Sequence, residues 1–368
     1  MSQQIDGIRL FLFRTGPRSA RRPARNRFFL RLRCGSVCGW SEFAAPPGQR
    51  ETDIITYTKC FELLRGKNVS DGFAIARAMV GIWPNPLSES AEMALLDLWG
   101  KLTGKSAAQL LVLEGRMPVH GVVQLQERDP DVLAERVRVL AEKGKLPCIK
   151  LALSGDIDTD RRLVAAVRRY APQKGTYLIG APHERYTSRL YSTAEQIGMQ
   201  LLKLYAAGLD ACEDPARLTV SEWILLQQYI GDLSLIAESP LRFARRAIHT
   251  VNPDMAKIYN IRPGYTGSVF DAVLLAERIV SGGGHVMVGD DDFIGPACEQ
   301  WQQIAIALGA DWVEAAYKPG ISDFYRSVQR GNGILLLNGV YNQLPVAGFG
   351  TELDEGRLGS RAACVFDL

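Results

Sequence analysis

Two glutamates, Glu213 in LDACEDP and Glu238 in LSLIAES, close successive short apolar runs of the chain. Two carboxylates on neighbouring strand ends make a hard oxygen site suited to Mg²⁺ (Mn²⁺ has the same taste), which completes its octahedron with water and substrate. Such an ion polarises a substrate carboxylate and lowers the cost of an enediolate. The same reading of run ends gives Lys150 in LPCIKLAL, Gly180 in TYLIG, Arg262 in KIYNIR, Asp290 in HVMVGD and Glu314 in DWVEAAY. Lysine serves as a base where burial or a nearby cation lowers its pKa, whereas arginine stays protonated and clamps anions. Charges at the tips of apolar strands are costly to bury unpaired. They therefore either build one polar site or cap helices and pair with one another, and the sequence leaves both open.

The elements that must carry these residues follow a regular order. After Pro118, eight short apolar runs begin with VHGVVQL and end with DWVEAAY, and seven of them precede a segment of helical periodicity. That alternation predicts parallel strands wrapped by helices, and eight strands close most naturally into a TIM-type (β/α)-barrel. An open doubly wound sheet is the structural alternative. In a parallel barrel, chemistry sits at the C-terminal strand ends, where the charges above fall. Upstream, IRLFLF, FFLRLRCG and GWSEFA read as strands, and ESAEMALLDLWGKLTGKSAAQLL reads as a helix stopped by Gly104. The expected organisation is an α+β cap over residues 1–117, a barrel over 118–337, and a turn-rich segment, 338–368, that returns to the cap.

In this order and spacing the motifs resemble the enolase superfamily, particularly its mandelate-racemase and muconate-lactonising branches. GWSEF is similar to the family's Gly-Trp-Gly-Glu strand, IKLAL stands where Lys-x-Lys is expected, and CEDP and IAESPL resemble the metal-ligand segments. The resemblance implies a modified barrel with a capping domain, Mg²⁺ held by Glu213 and Glu238, and proton abstraction beside a carboxylate by Lys150 or Asp290, with Arg262 on the opposite strand. It implies an isomerase or lyase acting on a small carboxylate, and homo-oligomers. The departures are Ala152 for the second lysine, Gly180 for an aspartate ligand, and Arg262 for a lysine. Gly180 should weaken the metal, with His183 and Glu184 as candidate substitutes. The alternative function is therefore a catalytically degenerate or repurposed relative that binds a small anion or a protein partner.

Between the first two strands, RTGPRSARRPARNR carries six arginines and two prolines that block a helix. The family's corresponding loop closes over the barrel mouth, so Arg21 and Arg25 are expected to contact an anionic substrate together with Glu314. A solvated or partner-binding loop is the other reading. The GDDDFIG run reads as an exposed acidic loop, or else as a relocated base or an extra metal ligand, and His285, at the wrong end of its strand, as structural. A net charge of +3 over 368 residues and no aromatic interleaving in the basic segment argue against nucleic acid. No apolar run is long enough to span a bilayer. The seven scattered cysteines make no zinc pattern and fit free thiols in a cytoplasmic protein.

Overall fold

The computed structural model describes residues 3–15, 25–46, 48, 50–113, 115, 117–144, 146–186, 193–314 and 323–368. Three antiparallel strands open the chain: β1 (Gly7–Thr15), β2 (Arg25–Cys34) and β3 (Val37–Ala44). Strand β2 begins at Arg25, paired with Thr15, and Arg27 faces Phe13 across the ladder. Both arginines expected in the loop are therefore strand residues, because the ladder continues outward along the chain to that point. Arg21 lies outside the described residues. Helices α1 (Glu51–Glu62), α2 (Val69–Ala78) and α3 (Leu87–Thr103) pack on this sheet, followed by the short α4 (Ala107–Leu110). Contact between β3 and α3 is very close. An added Cβ at Gly39 would lie 2.2 Å from the Ala94 carbonyl oxygen, so only glycine fits there.

The barrel's first strand comes in two pieces, β4 (Val119–Gly121) and β5 (Val123–Leu125). Then follow α5 (Pro130–Glu142), β6 (Cys148–Ala152), α6 (Ile157–Arg168), β7 (Tyr177–Ala181), α7 (Ala194–Ala206), β8 (Ala211–Glu213) and α8 (Val220–Ile230). The second half runs β9 (Ser234–Ala237), α9 (Ala244–Thr250), β10 (Ile258–Ile261), α10 (Val269–Ser281), β11 (His285–Val288), α11 (Pro296–Leu308) and β12 (Trp312–Val313). Neighbours pair in parallel from β5 through β12, and β12 pairs with β4. Because β4 and β5 are one strand interrupted at Val122, the ring closes. The barrel predicted from the sequence is present, and the open-sheet alternative is not.

The remainder is more ordered than its turn-rich composition suggests. After α12 (Asp323–Val328) come β13 (Gln329–Gly331), β14 (Ile334–Leu337), β15 (Val340–Gln343), β16 (Glu352–Leu353), α13 (Glu355–Arg361) and β17 (Cys364–Asp367). The β14–β15 hairpin adds antiparallel to β4. Strand β17 pairs antiparallel with β1, so the last strand completes the cap sheet. Among the described residues no helix is long and apolar enough to cross a membrane. All seven cysteines are free thiols.

Candidate active site

Strand alternation decides what reaches the barrel mouth. Cys148, Ile179, Ala211, Ile236, Ile258 and Met287 fill the barrel interior as one apolar layer. One pleat further along, Lys150, Ala181, Glu213, Glu238 and Asn260 line a cavity of about 270 Å³, with Arg262 and Glu314. The side chains of Arg25, Gln124, His183, Tyr265, Asp290 and Asp292 complete its wall.

The strand-three position differs from the sequence expectation by one residue. An added Cβ on Gly180 would meet Leu153 Cδ1 at 2.6 Å and Leu209 Cδ1 at 3.1 Å, so Gly180 faces the outer helix layer. The residue facing the cavity is Ala181, which is paired with Ala152 on β6. Neither alanine offers a ligand atom.

The Lys150 ammonium forms the hub. Its Nζ lies 2.5 Å from Glu213 Oε2 and 2.5 Å from Glu314 Oε1. Glu213 Oε1 accepts from Asn260 Nδ2 at 2.6 Å, and Glu314 accepts a longer bond from Gln124 Nε2 at 3.4 Å. Glu238 is held from the other side. Arg242 Nε donates to its Oε1 at 2.9 Å and Arg262 Nη1 to its Oε2 at 3.0 Å. Both guanidiniums lie over the Tyr265 ring, at 5.3 Å and 4.6 Å from its centroid.

These contacts set protonation. Burial favours neutral Lys150, but the charges of Glu213 and Glu314 outweigh it and hold the ammonium above its ordinary pKa. It therefore lacks the lone pair a base needs, and in this arrangement Lys150 is an electrostatic group. Burial pushes Glu314 up to about 7, against the pull of Lys150 and with help from the Glu213 charge. Burial also raises Glu238, yet Arg262 and Arg242 together leave it below the usual carboxylate range. His183, at a positive φ of 54°, is lowered first by desolvation and then by Lys150.

The three aspartates after β11 avoid mutual repulsion by turning apart. Asp290 accepts the backbone N–H groups of Asp292 and Phe293. Asp291 is buried and takes a bidentate grip from Arg25, at 2.9 Å and 3.0 Å. Asp292 pairs with Arg27 at 3.1 Å. The loop is thus no exposed acidic surface; it is the seam where cap strand β2 meets the barrel. Arg25 lines the cavity, but its guanidinium is committed to Asp291 and to the Ala44 and Ala45 carbonyls. Glu184 pairs with Arg217 at 2.8 Å, and His285 with Asp311 on the far side of its strand. The polar wall residues Gln124, Gln126, Asn260 and Tyr265 went unread in the sequence, as did Arg242, which grips Glu238. Asn260 was available from period-two spacing before Arg262; Arg242 was not, because its role depends on a turn after β9.

No protein-family model and no curated protein matches the sequence. Solved structures match over nearly the whole chain. An N-succinyl Arg/Lys racemase from Bacillus cereus is 19% identical with a TM-score of 0.81, covering 99% of this chain and 100% of its own. A mandelate racemase/muconate lactonizing protein from Herpetosiphon aurantiacus is 16% identical at TM-score 0.82, covering 96% and 99%. The chain has the enolase-superfamily fold. L-Talarate dehydratase from Polaromonas sp., solved with Mg and L-glucarate, matches at 17% identity and TM-score 0.78 over 99% of both chains.

This enolase-fold chain does not offer a divalent ion the donor set expected from the sequence. Glu213 and Glu238 stand on adjacent strands, but each of their four carboxylate oxygens already accepts from an N–H group. Ala181 supplies nothing in the third position. Among the described residues no group of three or more His, Cys, Asp or Glu side chains is arranged to hold a metal ion.

Proposed function

We propose that this chain binds a small carboxylate at the barrel mouth and moves a proton on the carbon beside it, chemistry of the isomerase or lyase class. The observation that carries the reading is the Glu213–Lys150–Glu314 bridge inside a cavity that also holds Arg262. Lys150 has a third N–H beyond the two taken by carboxylates, and Arg262, 29% exposed, lines the cavity. Together they can receive two oxygens of a carboxylate. Negative charge that grows on those oxygens as the proton departs meets cations already oriented by their ion pairs. Glu314, with its pKa near neutrality, suits the proton transfer, since a base works best when its pKa lies near the operating pH. The racemase and dehydratase that share the fold are named for reactions of this broad class.

The test is solvent exchange. The chain is incubated in D₂O with a panel of small carboxylic acids, including N-acylated amino acids and sugar acids, and the α-proton signal is followed by NMR. Loss of that signal with one class of acid, abolished in Glu314→Gln, is the expected result. A panel without exchange would leave the second reading, a binding protein for a small anion. The saturation of Glu238 by two arginines favours that alternative.

A further inference from the structure

The same cavity supports a more specific statement, which rests on its being the functional site. We propose that the site works without a divalent ion: the Lys150 ammonium occupies the metal's place, and Arg262 beside it provides the second positive charge toward an anionic ligand.

Lys150, Arg242 and Arg262 are in direct contact, at 2.5–3.0 Å, with Glu213, Glu238 and Glu314, so the carboxylates expected to hold an ion already have cationic partners. A divalent ion seated between Glu213 and Glu238 would meet the Lys150 and Arg262 charges and would force N–H donors off oxygens they already satisfy. Magnesium also requires near-ideal octahedral oxygen geometry. Beside Glu213, the cavity wall at the ends of β6 and β7 is Ala152 and Ala181, which cannot complete such a shell.

Unused donor capacity on Arg262 points to the ligand. Its Nε is buried without an acceptor, and its Nη2 stands 3.9 Å from Asp291 Oδ1, beyond hydrogen-bond reach. The rest of the guanidinium lines the cavity and the side chain is 29% exposed, so an oxyanion there can accept from donors the protein leaves unused. The ligand class is therefore a small carboxylate or equivalent oxyanion, held by direct ammonium and guanidinium contacts.

Calorimetric titration of the chelator-treated full chain with MgCl₂ and MnCl₂ tests this. No saturable heat is expected up to about 1 mM ion. Lys150→Met leaves Glu213 and Glu314 without their shared cation, and it should bind Mg²⁺ about tenfold more tightly than the parent. Lys150→Gln, which retains one donor, is the second variant should the first fail to fold. Saturable Mg²⁺ heat in the parent that disappears in Glu213→Gln overturns the proposal, and that titration needs only the parent to fold. A folded Lys150 variant that gains no Mg²⁺ affinity overturns the assignment of Lys150 as the occupant. Neither readout involves turnover, so a failed deuterium exchange leaves this result standing, and the converse also holds.

Discussion

Glu92→Gln should make this protein more resistant to alkali. Glu92 sits on α3 at 0% exposure and accepts from the Ser268 hydroxyl and the Val269 N–H, at the start of α10. Burial pushes its pKa from 4.5 to about 8, against the pull of Ser268, Val269 and Arg77. The charged groups around it are Arg77, with Nη1 4.0 Å away, and Asp271, which pairs with Arg77 and Arg245. A raised folded-state pKa means that the native protein holds the proton more tightly than the unfolded chain. The group's contribution is complete below pH 4.5 and drains away as pH rises to about 8. At about 1.4 kcal/mol per pH unit, the full swing has a ceiling of about 5 kcal/mol. Glutamine keeps an acceptor for Val269 and presents a donor to the Ser268 oxygen, so it matches the protonated acid and does not titrate. Thermal melts near pH 4.5 should find parent and variant alike. Near pH 9 the variant should melt higher by several degrees, at roughly 2 °C per kcal/mol for a chain of this size. A variant that loses more stability at the higher pH than at the lower would refute the reasoning. It would mean that the ionised carboxylate, facing Arg77 and the α10 N-terminus, is the stabilising form.

Gly39→Ala drives a Cβ to 2.2 Å from the Ala94 carbonyl oxygen and should cost about 3 kcal/mol or prevent folding, read from the denaturant midpoint. Glu42→Ala removes the acceptor of the Ile294 and Gly295 N–H groups just before α11, at 2.7 Å and 2.8 Å. Two buried donors lose a charged partner, so a loss of about 3–5 kcal/mol is expected in urea unfolding. If Glu314 takes the proton, kcat/KM should rise with pH through an inflection near 7 and lose that inflection in Glu314→Gln. Arg25→Met should loosen the seam of β2 against the β11 loop, visible as faster amide exchange in residues 290–293.

The barrel was legible because periodicity is a local property. Each apolar run such as TYLIG or LSLIAES is short, and each is followed by a helix whose stripe is written in the sequence. The strand ends Lys150, Glu213, Glu238, Arg262 and Glu314 could be placed at one rim for the same reason, and they do meet there. The side-chain parity of β7 could not be read, since TYLIGAP is apolar on both faces, and the one-residue difference between Gly180 and Ala181 followed. The pairing among the charges was equally hidden. Whether Glu213 faces an ion or Lys150 depends on how far a lysine stem reaches across the barrel, which no spacing encodes. Glu89 and Glu92 left a faint signal, as acids three apart inside the apolar helix ESAEMALLDLW. Their partners Gly264, Thr266 and Ser268 lie far along the chain, beyond any local pattern.

The pairing of β1 with β17 has a temporal consequence. Strand β1 is made before the barrel and its outer neighbour after it, with Arg9 opposite Asp367. During synthesis the cap sheet must therefore carry an open edge while the whole barrel is made. The apolar strand LFLF presents unpaired backbone groups through that interval, the condition in which edge strands recruit the wrong partner. The arginines flanking it, Arg9 and Arg14, stand where charges discourage such pairing in a growing chain.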